Sequence, residues 1–335
     1  MVHTLNARKP LSVKILHLFP ASIAHKLGKA VLENRILSKY FLRNAKLPRD
    51  DRLRINVAGI ELDNPLGLAA GYDKDGELYR TLGNIGLGFH TIGSVTFRPR
   101  EGNKKKVLIR LEEELGMINS LGLPSKGFSF IVKFLEQLRE SGGSPIFLSI
   151  APTNEKELEI MLRELEKFEK VKAVEVNVSC PNVFDNLDID KALSTIRAYS
   201  KPIFLKLGLW QLEGLEELID ICKKRKIGLS VLNALKVERG GLSGMPLYPY
   251  TLKAVRRIRE LSKDIPVIAV GGVFNGRQAI ELIKAGADAI GILTALAYLG
   301  PQGFKKIAEE MLEILKAEGF KDLKEVRGYK VEVRV

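Results

Sequence analysis

The sequence predicts an α/β chain folded as a closed (β/α)8 TIM barrel, with a helical lobe in front of it and an insertion between its second and third strands. Three observations carry that expectation. From Asn64 onward, short apolar runs alternate with longer amphipathic stretches. Eight such units follow one another, filling a span close to the ~250 residues typical of this barrel. A doubly wound open sheet would carry G-x-G-x-x-G after its first strand, and the chain reads AAGYDKDG (69–76) there.

Taken in order, residues 1–50 form the expected lobe and 51–335 the barrel. Within 11–46, KILHLFPASIAHKLGKAVL and ENRILSKYFLRNA read as two short helices, because apolar residues recur three and four positions apart. The expected barrel strands are PLGLAAG (65–71), FHTIGSVT (89–96), PIFLSIAP (145–152), AVEVNVSC (173–180), PIFLKLGL (202–209), GLSVLNAL (228–235), IPVIAVGG (265–272) and AIGILTAL (289–296). Each suits a parallel strand buried on both faces. Helical patterns between them include Lys156–Phe168, Leu212–Lys224, Tyr250–Ser262 and Arg277–Ala285. Residues 97–144 are too many for one connecting helix, so an insertion reaching over the barrel's top is expected there.

The bulk numbers narrow the function classes. With 335 residues and 45% hydrophobic content, the chain can build one large core. Its net charge of +13 comes from Lys and Arg scattered among Glu, without the aromatic interleaving of a single-strand-binding groove, so no nucleic-acid partner is expected. A Lys- and Glu-rich surface of thermophile type accounts for the charge, as would an attraction to anionic substrate or lipid. No apolar stretch approaches the roughly 20 residues that span a bilayer, and the N-terminus is too polar for a signal peptide. Two cysteines, Cys180 and Cys222, make no disulfide framework, which points to a reducing cytosol.

In such a barrel the carboxyl ends of the strands build the active site. Lys74, flanked by Asp73 and Asp75, follows the first strand, and Ser94 and Thr96 end the second. The third carries Ser149, the fourth Asn177, Ser179, Cys180 and Asn182, the fifth Lys206 and the sixth Asn233. The insertion adds Asn119 in GMINSLGLP (116–124). This set of amides, two lysines and a thiol has neither a His cluster nor paired carboxylates, so no metal is expected and zinc or glycoside hydrolysis is excluded. Amides grip a planar heterocycle without adding charge, and lysines suit a flavin's pyrimidine edge or an anionic substrate. The last two strands end in VGGVFNG (270–276) and GILTAL (291–296), where barrels hold a phosphate on backbone N–H groups. Together these suggest a phosphorylated flat cofactor, FMN. Each residue also has a duller reading: Asn177 as a loop tie, Lys206 snorkelling to the mouth, VGG as a turn. Cys180 would face a planar substrate on the flavin and act as a base, its thiol pKa of roughly 8.5 lowered by nearby lysines. No histidine lies in a strand-end motif, so a cysteine-protease arrangement is absent. Cys222 reads as a small core residue.

These motifs resemble the dihydroorotate dehydrogenase family over essentially the whole chain. The resemblance is carried by NPLGLAAGYDKDGE (64–77), IGSVTFRPREGN (92–103), INSLGLPSKGF (118–128) and NVSCPNV (177–183). It continues through FLKLG (204–208), GGLSGMPL (240–247), VGGV (270–273) and LTALAYLGP (293–301). It implies an FMN barrel that oxidises (S)-dihydroorotate to orotate in pyrimidine biosynthesis, with Cys180 taking the C5 proton while hydride leaves C6 for flavin N5. By the same resemblance, Lys74, Asn119, Asn177, Asn182 and Asn233 hold the orotate carboxylate and ring, with Ser120, Leu121, Gly122, Leu123 and Ala234 beside them. Ala70, Gly71, Lys74, Ser94, Ser149, Asn177, Lys206 and Leu232 face the flavin and ribityl chain, and Gly244, Gly271, Gly272, Leu293 and Thr294 hold the phosphate.

The subfamily signals are mixed. The lobe and the AAGYDKDGE motif are similar to the membrane-associated, quinone-using class, whereas Cys180, GLP (122–124) and Val183 are similar to the soluble class. Ala234 stands where a hydroxyl residue is usual, and the segment after Asn182 is shorter than usual. Another dihydropyrimidine or a dihydrouridine therefore stays open as substrate, and fumarate or a partner subunit as acceptor. A quinone is favoured. Ile15, Leu16, Leu18, Phe19, Ile23, Leu27, Val31 and Leu32 are expected to wall its groove, with Lys14, His25, Lys26 and Lys29 around it and Arg110 near the tunnel. Such a lobe also suits a peripheral contact with the inner face of the cell membrane. The sequence leaves the assembly open, a dimer being one arrangement.

Overall fold

The computed structural model describes residues 9–138, 142–179 and 199–328. Eight parallel strands close into a barrel in the order β3 (Leu66–Leu68), β4 (Phe89–Thr96), β7 (Ile146–Ala151), β8 (Val171–Asn177), β9 (Ile203–Leu207), β10 (Gly228–Val231), β13 (Val267–Val270) and β14 (Ala289–Ile292). All eight of the expected apolar runs supply a barrel strand. The last run is shorter as a strand than its apolar length suggests, because Thr294 already opens a helix.

Alternation along each strand sorts the barrel interior into layers. Phe147 and Ser149 share one face of β7, as Phe204 and Lys206 do on β9 and Gly228 and Ser230 on β10. At the amino end, Phe89, Phe147 and Phe204 stack with centroids 4.7 and 6.0 Å apart. A Cβ on Gly67 or Gly228 would strike the rings of Phe89 and Phe204, so glycine there makes room for the aromatic layer. Two residues further along, the same strands present Ser149, Lys206 and Ser230 to the interior. The barrel is thus filled by aromatic rings below and by polar groups just under its mouth.

The amphipathic stretches form the outer helices, among them α6 (Glu155–Leu165), α7 (Leu215–Arg225), α8 (Tyr248–Leu261), α9 (Gly276–Lys284) and α11 (Gln302–Glu318). These follow the helices of the lobe, α4 (Tyr79–Leu82) and α5 (Phe128–Glu136), and α10 (Thr294–Leu299) precedes α11. Asn154 and Asn275 start α6 and α9 by accepting the N–H groups of Glu157 and Gln278. Cys222, on α7, is fully buried, and burial pushes its thiol up to about 12. A short hairpin, β1 (Ile55–Val57) and β2 (Ile60–Leu62), leads into the amino end of β3.

The insertion does reach over the top. It contributes a hairpin, β5 (Val107–Leu111) and β6 (Gly116–Ser120), and then α5. A second hairpin, β11 (Leu235–Val237) and β12 (Gly240–Gly244), rises after β10, and β12 pairs with β6 to make one four-stranded sheet. In the closed order β4 and β10 stand four places apart in a ring of eight, so this sheet straps the mouth along a diameter.

The lobe has three helices where the sequence reading gives two: α1 (Leu11–Leu16), α2 (Ala21–Glu33) and α3 (Arg35–Leu42). Pro20 breaks the first stretch, because a proline nitrogen cannot donate and its ring clashes within a continuous helix. The Asn34 side chain caps α3 by accepting from Ile36 and Leu37 N–H. Polar contacts tie the lobe to the barrel. Arg110 donates to the carbonyls of His17 and Phe19 and pairs with Glu112, which also receives Lys9. Lys29 bonds Glu77 at 2.6 Å.

Candidate active site

The carboxyl ends of the strands, the strap and the lobe enclose one continuous cavity of about 1740 Å3. Most of the expected site residues meet on its wall: Ala70, Gly71, Lys74, Ser94, Asn119, Ser120, Leu121, Gly122, Leu123, Asn177, Lys206, Asn233, Ala234, Gly244, Gly271, Gly272, Leu293 and Thr294. Ser149 and Leu232 do not reach it. Both are fully buried. Leu232 N–H donates to Val270 O, and its side chain belongs to the hydrophobic core. Cys180 and Asn182 lie outside the described residues.

Ser149 instead belongs to a buried polar chain. Its hydroxyl donates to Glu175 Oε1 at 2.8 Å and lies 2.8 Å from Ser94 Oγ. Asn177 Nδ2 donates to Ser94 Oγ at 2.8 Å, and Asn177 Oδ1 accepts from both the hydroxyl and the N–H of Ser179, at 2.7 and 3.2 Å. The other oxygen of Glu175 accepts from Ser230 Oγ at 2.7 Å, and Lys206 Nζ stands 3.6 Å from Glu175 Oε1. Sequence reading passed over Glu175 and Ser230, although Glu175 sits in plain view as a charged residue inside an apolar run.

Lys74 rides on the loop after β3. Gly71 N–H donates to Gly93 O, and Gly93 N–H to Asp73 O. Asp73 pairs with His90 at 2.8 Å, both wholly buried, which clamps the loop against β4. His90, which supports the site without lining it, is a third group, after Glu175 and Ser230, that sequence reading passed over. Burial lowers the Lys74 ammonium to about 8, against the pull of Asp75 and helped by the charges of Lys206, Lys29 and Lys106. Among the described residues no carboxylate lies within ion-pair distance of it. His25, from α2, packs edge-on against Tyr72 at 5.2 Å; burial first, then Lys29 and Lys74, lowers its pKa and favours the neutral ring. Tyr72 is itself pushed up to about 12 by burial.

At the opposite corner the wall is bare backbone. A Cβ on Gly272 (φ +84°) would lie 2.5 Å from Tyr248 N, and one on Gly244 (φ +94°) would run into the Leu115 carbonyl. Only glycine leaves these turns open. Beside them Ser243 and Thr294 bring their hydroxyls together at 2.9 Å, and α10 begins at Thr294. Cationic and amide side chains in the middle, with a glycine cradle at one end, are the donor set that a flat phosphorylated cofactor needs.

The arm of the cavity under the lobe is lined by Leu11, Val13, Ile15, Leu16, Val31 and Leu32, with His17, His25, Lys26 and Arg110 among them. Leu18, Phe19, Ile23 and Leu27, also expected to wall it, are not among its lining residues; they are exposed, Leu18 by 82%, as are Leu11 and Ile15, which do line it. Lys14 does not line it either, and Lys29 is turned to Glu77 and Glu33. Among the described residues no helix is long and apolar enough to cross a membrane, and no group of three or more His, Cys, Asp or Glu is placed to hold a metal.

Comparison with known proteins agrees with this geometry. The family model described as dihydroorotate dehydrogenase matches residues 52–208 and 207–315. The chain is 35% identical over 302 residues to the dihydroorotate dehydrogenase (quinone) of Christiangramia forsetii, an alignment spanning 82% of this chain and 88% of that one. It is 32% identical over 358 residues to the enzyme of the same name from Rhizobium johnstonii, covering 97% of each. In fold it is similar to the DHODH of Eimeria tenella. The ferulenol complex superposes with a TM-score of 0.78 at 22% identity over 91% of this chain and 94% of that one. The ligand-free form gives 0.79 at 23%, over 91% and 99%. Sequence motifs, barrel, strap and family match converge: the chain belongs to the dihydroorotate dehydrogenase family of flavin-dependent oxidoreductases.

Proposed function

We propose that the chain oxidises (S)-dihydroorotate to orotate with FMN as its flavin and passes the electrons to a quinone. The carrying observation is the single cavity, which joins the lysine and amide wall and the glycine cradle to an apolar arm under the lobe. Bound FMN would supply a two-electron acceptor for the hydride leaving C6. Gly244, Gly271, Gly272, Leu293 and Thr294 would hold its phosphate, with Ala70, Gly71, Ser94 and Lys206 along the ring and ribityl chain. Lys74 would pair with the substrate carboxylate, while Asn119, Asn177, Asn182 and Asn233 would bond the ring. Cys180 would take the C5 proton as a thiolate. Residues 1–50 would act as the lobe that admits the quinone, and their exposed Leu18, Phe19, Ile23 and Leu27 suit a peripheral membrane contact.

Anaerobic addition of dihydroorotate should bleach the bound flavin, and a ubiquinone or menaquinone analogue should restore its colour faster than fumarate. A flavin that stays oxidised would overturn the substrate, and preference for fumarate would overturn the acceptor. The cradle makes a further demand. Two charge-assisted bonds from backbone N–H groups should favour FMN over riboflavin by roughly a hundredfold or more. Equal affinity for the two would remove the phosphate site. The only tryptophan, Trp210, lines the cavity, so quenching of its emission by the flavin reads the titration.

Lys74 gives this reading a pH signature. Its pKa of about 8 means that the ammonium is largely intact at neutral pH. A bound carboxylate stabilises that ammonium, so orotate affinity should be level below pH 8. Above it the dissociation constant should rise by up to about tenfold per pH unit. Lys74→Met should bind weakly and flatten the profile. A wild-type profile level to pH 9.5 would show that Lys74 does not meet the carboxylate.

A further inference from the structure

We propose that Glu175 is a positioning residue, whose buried carboxylate fixes the proton order of the hydroxyl chain beneath the site and offsets the charge of Lys206. The inference rests on the flavin reading above and adds to it a group that touches neither flavin nor substrate.

A carboxylate can only accept. Ser230 and Ser149 must therefore both turn their protons towards Glu175, at 2.7 and 2.8 Å. With its single proton committed, Ser149 can only accept from Ser94, whose oxygen lies 2.8 Å away. Ser94 has then committed its own proton and can only accept from Asn177, through Nδ2 at 2.8 Å. The amide of Asn177 is thereby oriented, leaving Oδ1 to receive the hydroxyl and N–H of Ser179, the residue before Cys180. One charge at the barrel centre thus dictates the direction of five side-chain hydrogen bonds, ending at the segment that carries the base. Every member is buried, so water cannot easily rescue a reversed order.

The same carboxylate faces the Lys206 ammonium at 3.6 Å, and both side chains are almost wholly enclosed. Charges so placed are weakly screened. Negative charge on Glu175 therefore reduces the positive potential that Lys206 projects into the cavity, where the pyrimidine edge of the flavin would lie.

Two separable expectations follow. Glu175→Gln keeps an acceptor for Ser149 and removes the charge, so the midpoint potential of the bound flavin should shift positive, because reduced flavin gains electron density beside an unopposed lysine. Glu175→Asp restores the charge and should return the potential to near the wild-type value. Ser149→Ala leaves the charge and cuts the chain. It should keep the wild-type potential, while orotate affinity, read from the flavin spectrum, falls about tenfold as the Asn177 amide loses its imposed orientation. The potentials are to be measured on holoenzyme by photoreduction against reference dyes, which needs no dihydroorotate. Failure of the substrate assignment therefore leaves the test of the electrostatic role intact. An unchanged or negative shift in Glu175→Gln, with thermal melting confirming that it folds, overturns the electrostatic role. Wild-type orotate affinity in Ser149→Ala overturns the ordering role. Should Glu175→Gln lose its flavin, the Glu175→Asp potential decides, since a packing role would predict loss there too.

Discussion

Cys180→Ala is expected to retain its flavin and to be reduced by dihydroorotate roughly 10²–10⁴-fold more slowly than wild type, the usual contribution of a positioned base. The C5 proton must leave as hydride departs from C6, and alanine offers nothing to receive it. A thiol, with an ordinary pKa of roughly 8.5, supplies thiolate near neutrality where a serine hydroxyl would not. Cys180→Ser should accordingly keep a fraction of the rate with its pH optimum moved upward. The residue before it is already fixed, since Ser179 commits both its N–H and its hydroxyl to Asn177. Rapid-mixing measurement of flavin bleaching under anaerobic conditions gives the answer directly. Bleaching of the alanine variant at the wild-type rate would remove Cys180 from the chemistry.

Removing the lobe should have an equally large effect on the other half of the reaction. The cut belongs after Arg43, because Ala45 and Leu47 are buried in the barrel's core and Leu47 N–H donates to Ile85 O. Without residues 1–43, the arm lined by Leu11, Val13, Ile15, Leu16, Val31 and Leu32 no longer exists. Turnover with a quinone analogue should fall by orders of magnitude, while bleaching of the flavin by dihydroorotate should stay within a few-fold of wild type. The truncated protein should also lose any affinity for lipid vesicles. Leu18 and Ile36, 82% and 81% exposed in the intact chain, each stand to gain about 1.5–3 kcal/mol if fully buried. Quinone turnover that survives truncation would make the lobe a cap and nothing more.

The barrel was legible because parallel strands buried on both faces leave continuous apolar runs, and each of the eight runs became a strand. The strand-end residues Lys74, Asn177, Lys206 and Asn233 were legible for the same reason: once a strand is placed, its carboxyl end follows. The second hairpin, β11 and β12, left no such trace. Three residues of one strand and a glycine-rich partner carry almost no hydrophobic period, and their pairing with β6 bridges more than a hundred residues of chain. Glu175 was missed because its meaning lies in Ser149, Ser230 and Lys206, which come from three other strands. Linear spacing says nothing of such a meeting. In the lobe, helical periodicity identifies an apolar face but not whether that face turns to a cavity or to the outside.

The strap along the mouth's diameter also bears on how such a chain could come to combine features of two classes. It parts the strand ends into two sets, β7, β8 and β9 on one side and β13, β14 and β3 on the other. Cys180 follows β8. The lobe leans on the other side, through His17 on Ala297 after β14 and His25 on Tyr72 after β3. In the proposed function, proton removal and the discharge of electrons draw on separate stretches of chain, joined through the barrel and through the strap, whose Arg110 and Glu112 hold the lobe. A cysteine that resembles the soluble class and a lobe that resembles the quinone-using class then belong to different parts of the fold.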